Sequence, residues 1–301
     1  MNEPDTDWLL TGEGAGPRFR WSFAVEAPLV SLERGRETGE VLAADASGGL
    51  YLLDRCGRVV MLTRGFPNLE EVAWSDMGNG GVAVADETTL IRLSPRLEVQ
   101  WSLELSEPIL GIAIDSYGHY IAAGLADGTV RIYDIRKRLF SQFETIRPLS
   151  FLRFLVNEPL LLCAAEYGLV CCHDLDGNEH WSARPLSNVG DLSVTGDGNT
   201  SLLACFGHGI QIYTAEGANQ SSLVVGGTPH RASISFAPKR IAVATLEHHL
   251  YWLDSVGDLL WAATLPGDVC ALRCKPAGNG LVVGLNSGRI ISIDWESPVT
   301  D

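Results

Sequence analysis

Short apolar runs recur along this chain, each closed by a turn, and within them Val, Ile and Leu alternate with polar residues at period two. That period is the pleat of a β-strand with one buried face. One apolar residue opens a strand in each copy of a longer repeat: Leu50, Leu90, Val130, Leu169, Ile210, Leu250 and Ile290. The steps between them are 40, 40, 39, 41, 40 and 40 residues, a register that chance does not keep over seven copies. A small or modest side chain stands six residues ahead of each marker, at Ala44, Val84, Gly124, Cys163, Ala204, Ala244 and Gly284. Turn residues come just before the marker, as in Ser47-Gly48-Gly49, Asp127-Gly128-Thr129, Gly207-His208-Gly209 and Ser287-Gly288-Arg289. About four residues after it the chain usually meets aspartate (Asp54, Asp134, Asp174, Asp254, Asp294), with Ser94 and Thr214 instead in two units.

Each unit reads as four short strands joined by tight turns. In the sixth these fall at 232–236, 241–245, 250–254 and 259–264, which leaves no room for a crossover helix. A four-stranded meander of this length repeated seven times predicts an all-β, seven-bladed β-propeller of antiparallel blades. The recurrent small side chain lets neighbouring sheets approach face to face. Prolines 28, 67, 108, 148, 229 and 266 mark crossings between blades. Tryptophan occupies the fourth strand at Trp101, Trp181 and Trp261, and stepping back the same 80 residues reaches Trp21. The last unit stops short of its own fourth strand, so residues 18–25 are expected to supply it and close the ring. The domain then covers 18–301, with residues 1–17 as a flexible acidic tail in which Trp8-Leu9-Leu10 could serve as a docking peptide.

The stretch from Asp127 to Asp134 (Asp-Gly-Thr-Val-Arg-Ile-Tyr-Asp) resembles the third strand of a WD-repeat blade. Asp176-Gly177-Asn178-Glu179-His180-Trp181 and Gly257-Asp258-Leu259-Leu260-Trp261 resemble the repeats of quinoprotein-type propellers. The resemblance covers about residues 18–295 and implies a propeller that serves as a binding platform.

Composition narrows the function. The net charge is −15, from 37 acidic and 22 basic side chains. Such a surface repels nucleic acid and anionic lipid and suits a basic partner. No apolar run reaches membrane-span length, and the acidic N-terminus (Glu3, Asp5, Asp7, Glu13) has no secretory pattern, so a cytoplasmic protein with reduced cysteines is expected. The seven cysteines are an odd number for a disulfide framework, and the sequons at Asn199 and Asn219 matter only after secretion.

Candidate chemistry is sparse. Quinone-dependent dehydrogenases of this fold class can carry adjacent cysteines, but Cys171-Cys172 lies mid-strand, where the two thiols point to opposite faces. Cys270 and Cys274 stand about 13 Å apart along one strand, too far to share zinc. His248-His249 with Glu247, and His208 at the matching turn, read as solvated turn residues. Asp174 to Glu179 lacks the spacing of a calcium loop, and no helix follows Gly78-Asn79-Gly80-Gly81 to cradle phosphate. The expected innermost strands, at 29–33, 71–74, 110–114, 149–154, 191–195, 232–236 and 269–274, are mostly apolar. No ring of carboxylates or histidines emerges from them, so no metal, cofactor or catalytic residue is expected. The turns between second and third strands open on one end of the disc and carry Asp45, Asp86, Glu87, Asp127, Glu166, Glu247 and His248. These form the expected acidic rim, which would receive a basic protein or peptide. The expectation is therefore a monomeric, non-catalytic scaffold, free or within a larger complex, with a small-ligand or metal- or quinone-dependent site in the central channel as the alternative.

Overall fold

A computed structural model gives the fold and describes residues 6–296. Seven antiparallel sheets succeed one another around an axis. Blades one to six cover residues 29–63, 69–104, 109–144, 151–183, 189–223 and 229–264. Blade seven takes three strands from residues 269–294 and its fourth from Arg18–Ala24. The closing register runs from Arg18 opposite Asp294 to Ala24 opposite Arg289. The expected ring closure is thus present in the last blade.

The core is seven wedges, one between each pair of neighbouring blades. The marker residues Leu50, Leu90, Ile210, Leu250 and Ile290 are all fully buried in these wedges. Each contributes about 1.5–3 kcal/mol by leaving water. The small residue six positions earlier explains the close approach of blades. A Cβ on Gly124 would stand 2.4 Å from the Leu149 carbonyl of the next blade.

The alternating tryptophans also find a role. The Trp21, Trp101 and Trp181 indoles donate Nε1–H to the carbonyls of Arg55, Ile135 and Ala215, each in the last turn of the following blade. Gly57 and Gly217 in those turns have positive φ, and a Cβ on either would strike the Trp21 or Trp181 ring. These three fourth-strand tryptophans therefore bolt one blade's outer edge to the next blade's turn, whereas the buried Trp261 indole N–H has no partner among the described residues.

The structure moves the domain boundary. Residues 1–17 were expected to form a flexible tail; the first five lie outside the described residues, and the rest of the segment is docked. A short helix, Asp7–Leu10, buries Trp8 and Leu9 against blade six, while Leu10 faces solvent. Glu13–Gly14 then adds a fifth strand to that blade, opposite Ala262 and Trp261. The physical reason is aromatic packing. Trp8 lies 6.0 Å from Trp261, Trp295 lies 5.7 Å from Trp261, and Trp295 stacks flat on Trp252 at 4.3 Å. The glycines between make the close approach possible, since a Cβ on Gly12 would sit 2.4 Å from the Trp261 indole nitrogen. Trp8-Leu9 is a docking element, and it docks on its own chain.

Candidate functional site

Every innermost strand lines the channel, and six of them begin with a bulge: at Leu29/Ser31, Leu69/Glu71, Ile109/Gly111, Val189/Asp191, Pro229/Arg231 and Val269/Ala271. A bulge re-aims the side chain that follows it. Ser31, Glu71, Gly111, Phe151, Asp191, Arg231 and Ala271 consequently stand in one tier at the same repeat position. Two residues further on, Glu33, Ala73, Ala113, Arg153, Ser193, Ser233 and Arg273 make a second tier.

This corrects the apolar channel expected from the sequence. Arg273 grips Glu33 with two hydrogen bonds, Nε to Oε1 at 2.7 Å and Nη2 to Oε2 at 2.9 Å. Arg153 approaches the same carboxylate at 3.9 Å. Burial alone would raise the Glu33 carboxyl, but the two guanidinium groups outweigh it and hold the group below its ordinary value. Burial pushes Glu71 up to about 8, because Arg153 and the Ile112 N–H at 3.1 Å only partly offset the loss of water. Arg231 reaches sideways to the carbonyls of Cys270 and Gly190, tying blade six to both neighbours. Asp191 and Ser193 accept the backbone N–H groups of Ala232 and Ile234 in the next blade.

Arg153 and Arg273 border the cavities on both sides of this plug. The vestibule on the rim side has a volume of about 300 Å³ and is bordered by Glu70, Glu71, Glu166, Asp191 and Arg231. The opposite vestibule, of about 100 Å³, is bordered by Arg34, Arg36 and Asp76. Asp76 is held by Arg36 at 3.0 Å and by the Ser116 hydroxyl at 2.7 Å. Cys270 borders the first vestibule and Cys274 the second, so the two do not meet.

The rim residues divide into two kinds. Asp45 is 0% exposed and cannot touch a partner. It accepts hydrogen bonds from Ser47, Gly49, the Tyr51 hydroxyl and the Ala27 N–H. Burial would raise this carboxyl, and those donors together hold it below its usual value. Glu247 accepts the N–H and hydroxyl of Thr228, whose backbone bond above all draws it down to about 2. His248 contacts Asp268 at 2.8 Å. These three side chains are occupied in building the turns. Asp86, Glu87, Asp127 and Glu166 remain exposed, although Asp86 accepts the Asn68 amide at 2.7 Å and Asp127 the Thr129 N–H at 2.8 Å. Asp86 and Glu87 adopt positive φ, which presents both from a tight two-residue tip.

An apolar arc on the same end was missed. Ile146, Tyr167, Leu186, Phe206, Val224 and Leu246 are all exposed, Leu186 by 92% and Val224 by 89%. They occupy the crossings and second turns of blades three to six. Hydrogen bonds from Phe206 and Leu246 N–H to the Asn188 and Thr228 carbonyls bind those turns to the crossings on one surface. A signal existed: these positions are apolar within loops that are otherwise polar or glycine-rich.

The cysteine and histidine expectations can be placed as well. Cys171 packs between blades three and four and Cys172 between four and five, on opposite faces of their strand. Cys171 stands directly across from Cys163. Asp174 accepts the Asn178 N–H and side-chain amide and so closes its own turn. Among the described residues, no three His, Cys, Asp or Glu side chains converge as a metal site.

No family model matches the chain, and no curated protein does. Among solved structures it is similar to the β-propeller domain of Cps50 (Swd1) from Myceliophteria thermophila, with a TM-score of 0.81 at 15% identity. The match covers 93% of this chain and 100% of that one. At that identity the likeness shows the fold: this chain is a seven-bladed β-propeller. Among the described residues no helix is long and apolar enough to cross a membrane.

Proposed function

We propose that this propeller is a non-catalytic interaction scaffold whose rim end receives a basic protein or peptide. The observation that carries the reading is the coincidence, on one end, of the exposed apolar arc with the exposed carboxylates of Asp86, Glu87, Asp127 and Glu166. Solvent-facing apolar residues edged by charge are the ordinary anatomy of a docking site. The apolar arc would supply affinity, and the acidic tips would steer and select a cationic partner. The propeller itself is a monomer that acts as an adaptor or subunit in a larger cytoplasmic complex. Its acidic balance and free cysteines support that placement. The channel supports a second, narrower reading, as a small-ligand pocket, because its rim-side vestibule combines about 300 Å³ with facing carboxylates and guanidinium groups.

The test is capture of partners from extract by the tagged protein and by a variant with Asp86→Lys, Glu87→Lys and Asp127→Lys. One dominant basic partner, weakened at least about tenfold in the variant, is the expected result. Undiminished capture by a folded variant would remove the rim from consideration.

A further inference from the structure

A second cavity lies on the opposite end of the disc, in the seam between blades seven and one. It measures about 380 Å³. Its walls come from Arg20 and Trp21 on the closing strand, Arg34, Gly39 and Arg55 of blade one, and Lys275, Ser292 and Asp294 of blade seven. Four cationic side chains thus face one carboxylate, in a protein whose net charge is −15. That carboxylate is already engaged. Arg20 Nε holds Asp294 Oδ2 at 2.7 Å, and Lys275 Nζ holds Oδ1. Arg34 and Arg55 are left without it.

Two polar groups at this seam are orphaned. Ser292 is 0% exposed, and its hydroxyl has no hydrogen-bond partner among the described residues. The Nη1 of Arg34 is likewise buried and without a partner. Burial pulls the Arg34 guanidinium below its ordinary pKa, and Asp76, Cys274 and Asp294 only partly compensate. A buried donor left unmade costs about 1–3 kcal/mol, more for a charged one, so folded proteins seldom keep two together without purpose. The space for the guanidinium is built in: Gly39 has positive φ, and a Cβ there would stand 3.1 Å from Arg34 Nη2. Trp21, pinned by its bond to the Arg55 carbonyl, forms a rigid apolar wall beside the charges.

We propose that this seam binds a small organic phosphate. The phosphoryl oxygens accept hydrogen bonds from Arg34 Nη1 and the Ser292 hydroxyl and are drawn in by Lys275 and Arg55, while the organic part lies along Trp21. Guanidinium groups suit this role because their paired donors match phosphate geometry. The volume is that of an ordinary small-molecule pocket. The site is independent of the rim, so a basic partner and an anion can be held at once on opposite ends. Because its walls join the closing strand and blade seven to blade one, the ligand also fastens the ring.

The probe is inorganic pyrophosphate, added to the purified full chain at constant ionic strength. Titration calorimetry should show saturable one-to-one binding, and thermal melting should shift upward, with sodium chloride giving neither. Arg34→Gln should weaken binding at least about tenfold and Ser292→Ala by about threefold, in line with losing a charged and a neutral hydrogen bond. Should Arg34→Gln fail to fold, Arg55→Gln, at the exposed mouth, serves in its place with a smaller loss. Absence of saturable binding, or affinity unchanged in both arginine variants, overturns the proposal. So does an equal melting shift with sodium chloride.

Discussion

On the end of the disc away from the rim, Asp54, Asp134, Asp174 and Asp254 each accept the backbone N–H four residues on, from Arg58, Arg138, Asn178 and Asp258. On the rim, Asp86, Glu87, Asp127 and Glu166 stay exposed, while Asp45 and Glu247 fold back into their loops. The two ends use one residue type for two purposes. At the far end aspartates finish turns, and one cleft gathers four cationic side chains around a single carboxylate. At the rim, Asp86 and Asp127 also hold local bonds, to the Asn68 amide and the Thr129 N–H, yet stay exposed with Glu87 and Glu166 beside an apolar arc. An acidic loop residue is therefore a contact candidate only where its carboxylate is not buried within its own loop.

Substitutions that separate architectural from contact charges test that distinction. The largest effect is expected at the channel plug. Arg273→Ala leaves Glu33 buried with only Arg153 at 3.9 Å, and should cost about 3–5 kcal/mol in chemical denaturation. A loss below about 1 kcal/mol would mean that channel water already screens the pair. Glu71 comes next. The folded protein holds its proton to about pH 8, whereas an unfolded chain releases it near 4.5. Between those values the folded state binds more protons, so this group lowers stability as pH rises through the window. Glu71→Gln should remove that slope, and the variant's advantage should grow by a few kcal/mol from pH 5 to pH 8. Parallel stability curves for the two proteins would refute the buried, protonated assignment. Asp45→Ala should cost about 1–3 kcal/mol through its orphaned donors yet leave partner capture by the folded protein unchanged. The rim triple reversal should do the converse, weakening capture while costing about 1–2 kcal/mol through the lost Asn68 and Thr129 bonds. If both variants lose capture equally, the division between the two kinds of carboxylate fails.

The blades were legible because their signal is repeated. Leu50 and its six counterparts keep register through the whole ring, and Trp21 announced the closing strand by its spacing alone. The charged channel was not legible, although it obeys the same spacing. Glu33, Arg153 and Arg273 share one repeat position with Ala73, Ala113, Ser193 and Ser233, so any single strand looks nearly apolar. The ring of charge exists only when the seven strands are read across rather than along. The docked N-terminus was hidden for another reason. Glu13 and Asp7 made the segment look solvated, yet its anchors are Trp8 and glycines whose missing side chains let backbone settle on Trp261. The rim expectation failed at Asp45 because burial of a turn carboxylate depends on Tyr51 and Ala27, which come from a strand and a crossing outside that turn.

The closing strand has a consequence for synthesis. Arg20 meets Asp294 across 274 residues of chain, so the closing strand must wait for partners made much later. Through most of translation Arg18–Ala24 has no partner, and blade seven cannot form. An unpaired apolar edge of that kind recruits strands from other nascent chains. Trp8 and Gly12–Gly16 lean on blade six, which is complete before blade seven is made, so they can park the waiting strand close to its final position. On that view the N-terminal clasp is as much a guard during birth as a fastener afterwards.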